Sequence, residues 1–158
     1  MDIWNRTGPG SLSGYSETAS VERPKHEAIA MDKIDLPELY RGYIDCLNAQ
    51  DWSRLGQFVH DDVRHNGRRL GLSGYREMLE RDFDQIPDLR FNIALLICDP
   101  PFVASRLDFN CTPSGEFLGL PVNGRRVAFP ENVFYRFGGD KIDEVWSVVD
   151  KAAIEAQL

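Results

Sequence analysis

The sequence predicts an α+β fold, on three observations. Apolar residues follow helical spacing through the first half of the ordered stretch. They then switch to a period of two, and no internal repeat or heptad pattern runs through the 158 residues. Helices followed by strands imply a curved, mostly antiparallel sheet with helices on one face.

The first helix is carried by Leu36, Leu39, Tyr40, Tyr43, Ile44 and Leu47 at i, i+3, i+4 and i+7 spacing. Asp35 is its expected N-cap, with Pro37 tolerated in the first turn. Asp51 opens a second, short helix with Trp52, Leu55, Phe58 and Val59. An extended piece from Asp62 to Asn66 follows, and Asn66-Gly67 marks a tight turn. Ser73 is the expected cap of a third helix presenting Tyr75, Met78, Leu79, Phe83 and Ile86, which Pro87 stops. Then Leu89, Phe91, Ile93, Leu95 and Ile97 alternate as one face of a strand. Further strands are expected over 102–110, 127–137 and 141–149, with turns at Asp99-Pro100-Pro101 and Gly138-Gly139-Asp140. A long Gly- and Pro-containing connection spans 112–124, and a closing helical turn 152–158.

Residues 1–33 differ in kind. Thr7-Gly8-Pro9-Gly10-Ser11-Leu12-Ser13-Gly14 is linker chemistry with no apolar period. The segment reads as a flexible extension, or as an arm packing on a partner subunit through Ile3, Trp4 and Tyr15. The domain proper is expected over 34–158.

Composition excludes several classes. Lys+Arg number 18 against 25 Asp+Glu, a formal charge of −7 with no basic stretch, which argues against nucleic acid and anionic membranes. The longest apolar run, Ile93 to Cys98, is far short of the ~20 residues that span a bilayer. No apolar signal-peptide core lies in the first thirty residues. Three dispersed cysteines, none in CxxC, fit a reducing cytosol and support neither a disulfide framework nor zinc. His60 and His65 near Asp61 and Asp62 lack the spacing of a helical ligand pair, so no metal is expected.

A sheet curling around helices leaves a conical space, and polar residues facing it are candidates for chemistry. Glu131 shares a strand face with Val127, Phe129, Val133 and Tyr135 and enters the cone if that face is concave; the competing reading is an outward residue beside Pro130. Ile142, Glu144, Trp146, Val148 and Asp150 share a face by the same period. Asp150 could therefore sit in an apolar site beside Trp146 with a raised pKa, or cap the terminal helix. His65 is a candidate proton shuttle or a structural histidine. Tyr43 on the first helix is a candidate donor to a substrate oxygen, or a core tyrosine.

Three stretches carry a resemblance: Asp61-Asp62-Val63-Arg64-His65-Asn66, the loop from Thr112 to Val127 with Gly115-Glu116-Phe117-Leu118-Gly119-Leu120-Pro121, and Lys141 to Asp150 closing with Gln157-Leu158. Together they resemble the SnoaL-like polyketide cyclase, or ester cyclase, family of the NTF2-like superfamily over about residues 36–158. The resemblance implies a cone-shaped barrel, a homodimer, and aldol-type cyclisation or isomerisation of a small apolar carbonyl compound without metal or organic cofactor. It implies Asp150 as the pocket carboxylate. The expected catalytic set is then Asp150, His65 and Glu131, with Trp146, Tyr43, Phe91, Phe109 and Asn66 around the substrate. Relatives often carry His in the place of Val145 and a small residue near Glu131. Alternatives on the same fold are a ligand-binding or interaction protein and a dehydratase or epoxide hydrolase-like enzyme.

Overall fold

The computed structural model describes residues 34–158. The expectations for residues 1–33, including the arm residues Ile3, Trp4 and Tyr15, lie outside the described residues. Helix α1 spans Leu36–Asn48, capped as expected: the Asp35 carboxylate accepts from the Glu38 N–H at 3.1 Å. A 3₁₀ turn, Trp52–Gln57, leads into strand β1, Val59–His65, which begins earlier than the sequence suggests. Strand β2, Arg68–Arg69, pairs back on β1. Asn66 and Gly67 both hold positive φ between them (45° and 79°), as a two-residue hairpin of this twist demands.

Helix α2 runs Gly71–Gln85. It starts before Ser73, which therefore lies inside the helix and caps nothing; Leu70 holds the cap position without a side-chain bond. Four long strands follow at the expected places: β3 (Asn92–Asp99), β4 (Phe102–Cys111), β7 (Val127–Gly138) and β8 (Lys141–Val149). The long connection holds a small hairpin, β5 (Glu116–Phe117) and β6 (Leu120–Pro121). Helix α3, Lys151–Glu155, ends the chain.

The main sheet has the order β2-β1-β8-β7-β4-β3. All its pairings are antiparallel except β1 with β8, so the sheet is mostly antiparallel, as expected, with one parallel join. The sheet wraps around α1 and α2. Tyr40, Tyr43, Ile44 and Leu47 from α1 and Tyr75, Met78, Leu79 and Phe83 from α2 share one buried core with the concave face. Asn48 fastens α1 to the sheet by bonding both the N–H (2.8 Å) and the carbonyl (2.9 Å) of Phe91.

Two of the long strands are interrupted by an extra residue. In β3 the register shifts between Ile93 and Leu95, and in β8 between Ile142 and Glu144, leaving Ala94 and Asp143 as bulge residues. A bulge advances the strand by one residue, so every later side chain moves to the opposite face. Two expected faces are corrected by this. Ile93 faces the core, but Leu95 and Ile97 point outward and are 53% and 57% exposed, with Leu96 and Cys98 turned in. Beyond Asp143 the inward residues are Val145, Ser147 and Val149, opposite Tyr135, Val133 and Glu131. Trp146 and Val148 lie opposite Phe134 and Asn132 on the convex side.

Candidate functional site

Strand β7 carries no such interruption before Arg136, and its alternation holds: Val127, Phe129, Glu131, Val133, Tyr135 and Phe137 are buried. Glu131 is thus in the cone, among aromatic and aliphatic side chains, and only 5% exposed. Around it a cavity is lined by Tyr43 from α1, His65 from β1, Tyr75, Met78, Leu79 and Asp82 from α2, Phe91, and Val133, Tyr135, Val145 and Ser147 from β7 and β8.

Burial pushes the Glu131 carboxyl up from 4.5 to about 8, because ionising it leaves a charge in an apolar enclosure; a hydrogen bond from Ser147 pulls it partly back. Glu131 and Ser147 are diagonal neighbours on one sheet face, Glu131 opposing Val149 and Ser147 opposing Val133. The Ser147 Oγ also lies 3.2 Å from the His65 Nε2. Burial, with a smaller contribution from the positive Arg68, lowers His65 from 6.5 to about 4, so the ring is neutral at pH 7. Tyr43 and Tyr75 hydroxyls meet at 2.7 Å. Burial raises both phenols, keeping them protonated. Their two O–H protons share one bond between the pair, so the second can point at a ligand. Tyr40 and Tyr135 extend this aromatic floor, with ring centroids 5.0 Å apart.

The structure brings Glu131, His65, Tyr43 and Phe91 together at one cavity. Phe109 stands behind them, stacked on Phe129 at 5.3 Å and edge-on to Phe91 at 5.3 Å. It does not bring in the others. Asp150 is exposed, and its Oδ1 accepts from the Ala153 N–H at 2.9 Å, so it caps α3. Trp146 is 38% exposed on the convex face. Both corrections have one cause, the extra residue at Asp143, which reverses the assumed face. Asn66 is exposed and acts as a clamp: its amide bonds the N–H (2.9 Å) and carbonyl (3.3 Å) of Ser147, joining β1 to β8. His60 is also exposed, its Nδ1 accepting from the Asp62 N–H. Among the described residues no cluster of His, Cys, Asp and Glu could hold a metal ion.

Sequence reasoning missed Tyr75, Asp82 and Ser147 as site residues. Asp82 had a legible signal, since it lies three and four residues beyond Leu79 and Met78, on the apolar stripe of α2. Ser147 had none, because its inward direction depends on the bulge.

A helix-capped α+β cone, its curved sheet open rather than closed into a barrel, with a buried, polar-edged cavity is the class that fold and site define. The chain belongs to the SnoaL-like polyketide cyclase family, whose family model matches residues 37–158. It is similar to a SnoaL-like polyketide cyclase from Agrobacterium tumefaciens, with 56% identity and a TM-score of 0.77, over 77% of this chain and 96% of that one. TsrD from Streptomyces laurentii shares the fold at 21% identity and a TM-score of 0.69, over 79% and 97% of the two chains. IdmH from Streptomyces antibioticus does so at 20% and 0.68, over 78% and 98%. No curated protein matches the chain.

Proposed function

We propose that the chain is a cofactor-independent acid/base enzyme of the cyclase or isomerase type, acting on a small apolar carbonyl compound with Glu131 as the base and acid. The observation that supports it most is the enclosed Glu131 carboxyl, raised to about 8 in a cavity with Tyr43, His65, Tyr75 and Ser147 from four other elements. A carboxylate with that pKa is a far stronger base than one in water, yet a tenth of it is ionised at pH 7. The ionised form takes a proton from the carbon next to the substrate carbonyl. The C–H bond breaks, a carboxyl O–H forms, and the charge passes to the enolate oxygen, where the free proton of the Tyr43–Tyr75 pair meets it. In a cyclisation the enolate carbon attacks a second carbonyl of the same molecule. The resulting alkoxide recovers the proton from Glu131, which returns to its starting state without metal or organic cofactor.

The test is exchange of the α-protons of a small apolar 1,3-diketone with D₂O, followed by NMR. The rate is expected to rise about tenfold per pH unit up to about 8 and then level off. Glu131→Gln is expected to lower it by about 10²–10⁴-fold. A flat or falling profile, or full activity in Glu131→Gln, sinks the assignment.

The chain is also proposed to work as a homodimer through the convex sheet face. Leu95, Ile97, Phe134, Trp146 and Val148 are exposed there in two adjoining rows. Their exposed side chains sum to on the order of 500 Å², most of the ~800 Å² that one partner contributes to a standard interface. Sedimentation is expected to give a dimer for the wild type and a monomer for Phe134→Asp; a wild-type monomer overturns this. Three free cysteines fit the reducing cytosol as the compartment.

A further inference from the structure

We infer that Ser147 is a positioning residue that joins Glu131 and His65 into one hydrogen-bonded chain, so that the ring tautomer of His65 follows the protonation state of Glu131. The inference rests on the acid/base role proposed for Glu131 and names the group that prepares it.

Geometry carries the point. Ser147 links the two groups by hydrogen bonds: its hydroxyl bonds Glu131 and stands 3.2 Å from the His65 Nε2. Asn66 fixes its backbone on both sides, so the hydroxyl is held between the two side chains. A serine hydroxyl has a single proton, which it can give in only one direction at a time. With Glu131 ionised, the carboxylate only accepts. Ser147 then donates to it and must accept from His65, which places the ring proton on Nε2. With Glu131 protonated, the chain can run the other way: the carboxyl O–H donates to Ser147, Ser147 donates to Nε2, and the ring proton sits on Nδ1. The proton count of His65 is two-sided but constant. One proton leaves Glu131 for solvent, and one moves from Nδ1 to Nε2.

The surrounding groups do not compete for this role. Tyr40 and Tyr43 face the pair from α1, Tyr75 and Asp82 from α2, Tyr135 from β7 and Arg68 from β2. Burial raises the four phenols, so they keep their protons through neutral pH. Asp82 is the second carboxyl group lining the cavity, and a variant separates it. In the ionised state the consequence is mechanistic: the His65–Ser147 chain steadies the carboxylate that takes the substrate proton, and aims it.

The experiment is NMR of the labelled full chain between pH 6 and 10, reading the two ring nitrogens of His65 and the carboxyl carbon of Glu131. The wild type is expected to convert His65 from the Nδ1–H to the Nε2–H form with the midpoint of Glu131, near 8. Ser147→Ala is expected to abolish the conversion and to move the Glu131 midpoint upward by about one pH unit, since a stabilising donor is lost. Ser147→Thr, which keeps the hydroxyl, restores both, and Asp82→Asn leaves the conversion in place. A wild-type ring that stays in one tautomer while Glu131 titrates near 8 overturns the inference and leaves the acid/base proposal standing. So does a conversion that survives in Ser147→Ala, or one that is lost in Asp82→Asn instead. A Glu131 midpoint near 4.5 overturns the acid/base proposal itself.

Discussion

The two faces of the main sheet are built from the same strands and face opposite solvents. The concave face is closed by α1 and α2, and holds Phe109, Phe129, Val133 and Tyr135 at 2–3% exposure with one carboxyl group among them. The convex face presents Leu95, Ile97, Phe134, Trp146 and Val148 at 38–69% exposure. Apolar character is thus no guide to which face is inside. What separates the faces is the pairing register, and the register turns on two bulges. The difference teaches that a carboxyl on the concave face holds its proton far more tightly, whereas an equal group outside is an ordinary surface charge or a cap.

Several measurements would break or sharpen this contrast. The largest effect is expected from Phe109→Ala, which leaves a hole between Phe91 and Phe129. Urea unfolding should show a loss of about 3–5 kcal/mol. Phe134→Ala on the outer face should cost within about 0.5 kcal/mol under conditions where the chain is a monomer. Equal losses would erase the distinction between faces.

Next comes the pH dependence of stability. The folded-state pKa of Glu131 is raised from 4.5 to about 8, so the fold holds its proton more tightly than the unfolded chain does. Its contribution is complete below 4.5 and is lost as pH rises through 8, at ~1.4 kcal/mol per pH unit. His65 acts oppositely: its pKa falls from 6.5 to about 4, so its contribution is present above 6.5 and is lost as pH falls toward 4. The two slopes oppose one another between 4.5 and 6.5, leaving Glu131 alone above that window. Between pH 6.5 and 8, the wild type should lose about 2 kcal/mol relative to Glu131→Gln. Parallel stability curves for the two proteins would mean that Glu131 is not enclosed in solution.

The smallest effect concerns Asp150. As a cap on α3, its replacement by Ala should cost ~1 kcal/mol of stability. Because the side chain is outside the cone, α-proton exchange should be unchanged. A large drop in exchange without a stability change would return Asp150 to the site.

Much of this was legible in the sequence. Helical spacing located α1 and its Asp35 cap, Asn66-Gly67 announced the β1–β2 turn, and alternation along β7 grouped Glu131 with Val127, Phe129, Val133 and Tyr135 while leaving open whether that face was the concave one. The family resemblance on the loop and terminal strand agrees with the fold. The rest depended on events that leave no local mark. Ala94 and Asp143 look like any strand residues, yet each reverses the faces after it, and so Leu95, Ile97, Trp146 and the run toward Asp150 were placed on the wrong side. The parallel join of β1 to β8 links residues some eighty positions apart, beyond what spacing can show. Asp82 was visible on its helix stripe, but a carboxylate there acquires meaning only with Glu131 across from it.

The bulge at Asp143 has a consequence for how this curved sheet can change. It behaves like a phase setting: Arg136 holds the extra residue by accepting no slack, its Nε donating to the Asp143 Oδ1 at 2.8 Å. Deleting that single position would restore plain alternation and leave the rest of β8 facing as it does, because Ile142 and Glu144 already oppose the adjacent residues Phe137 and Arg136. Flattening the bulge with every residue kept is what would swing Trp146 and Val148 into the cone and send Ser147 to the outer surface. One inserted residue therefore decides which side chains of β8 form the cavity wall and which form the exposed apolar face, where point substitutions would need many.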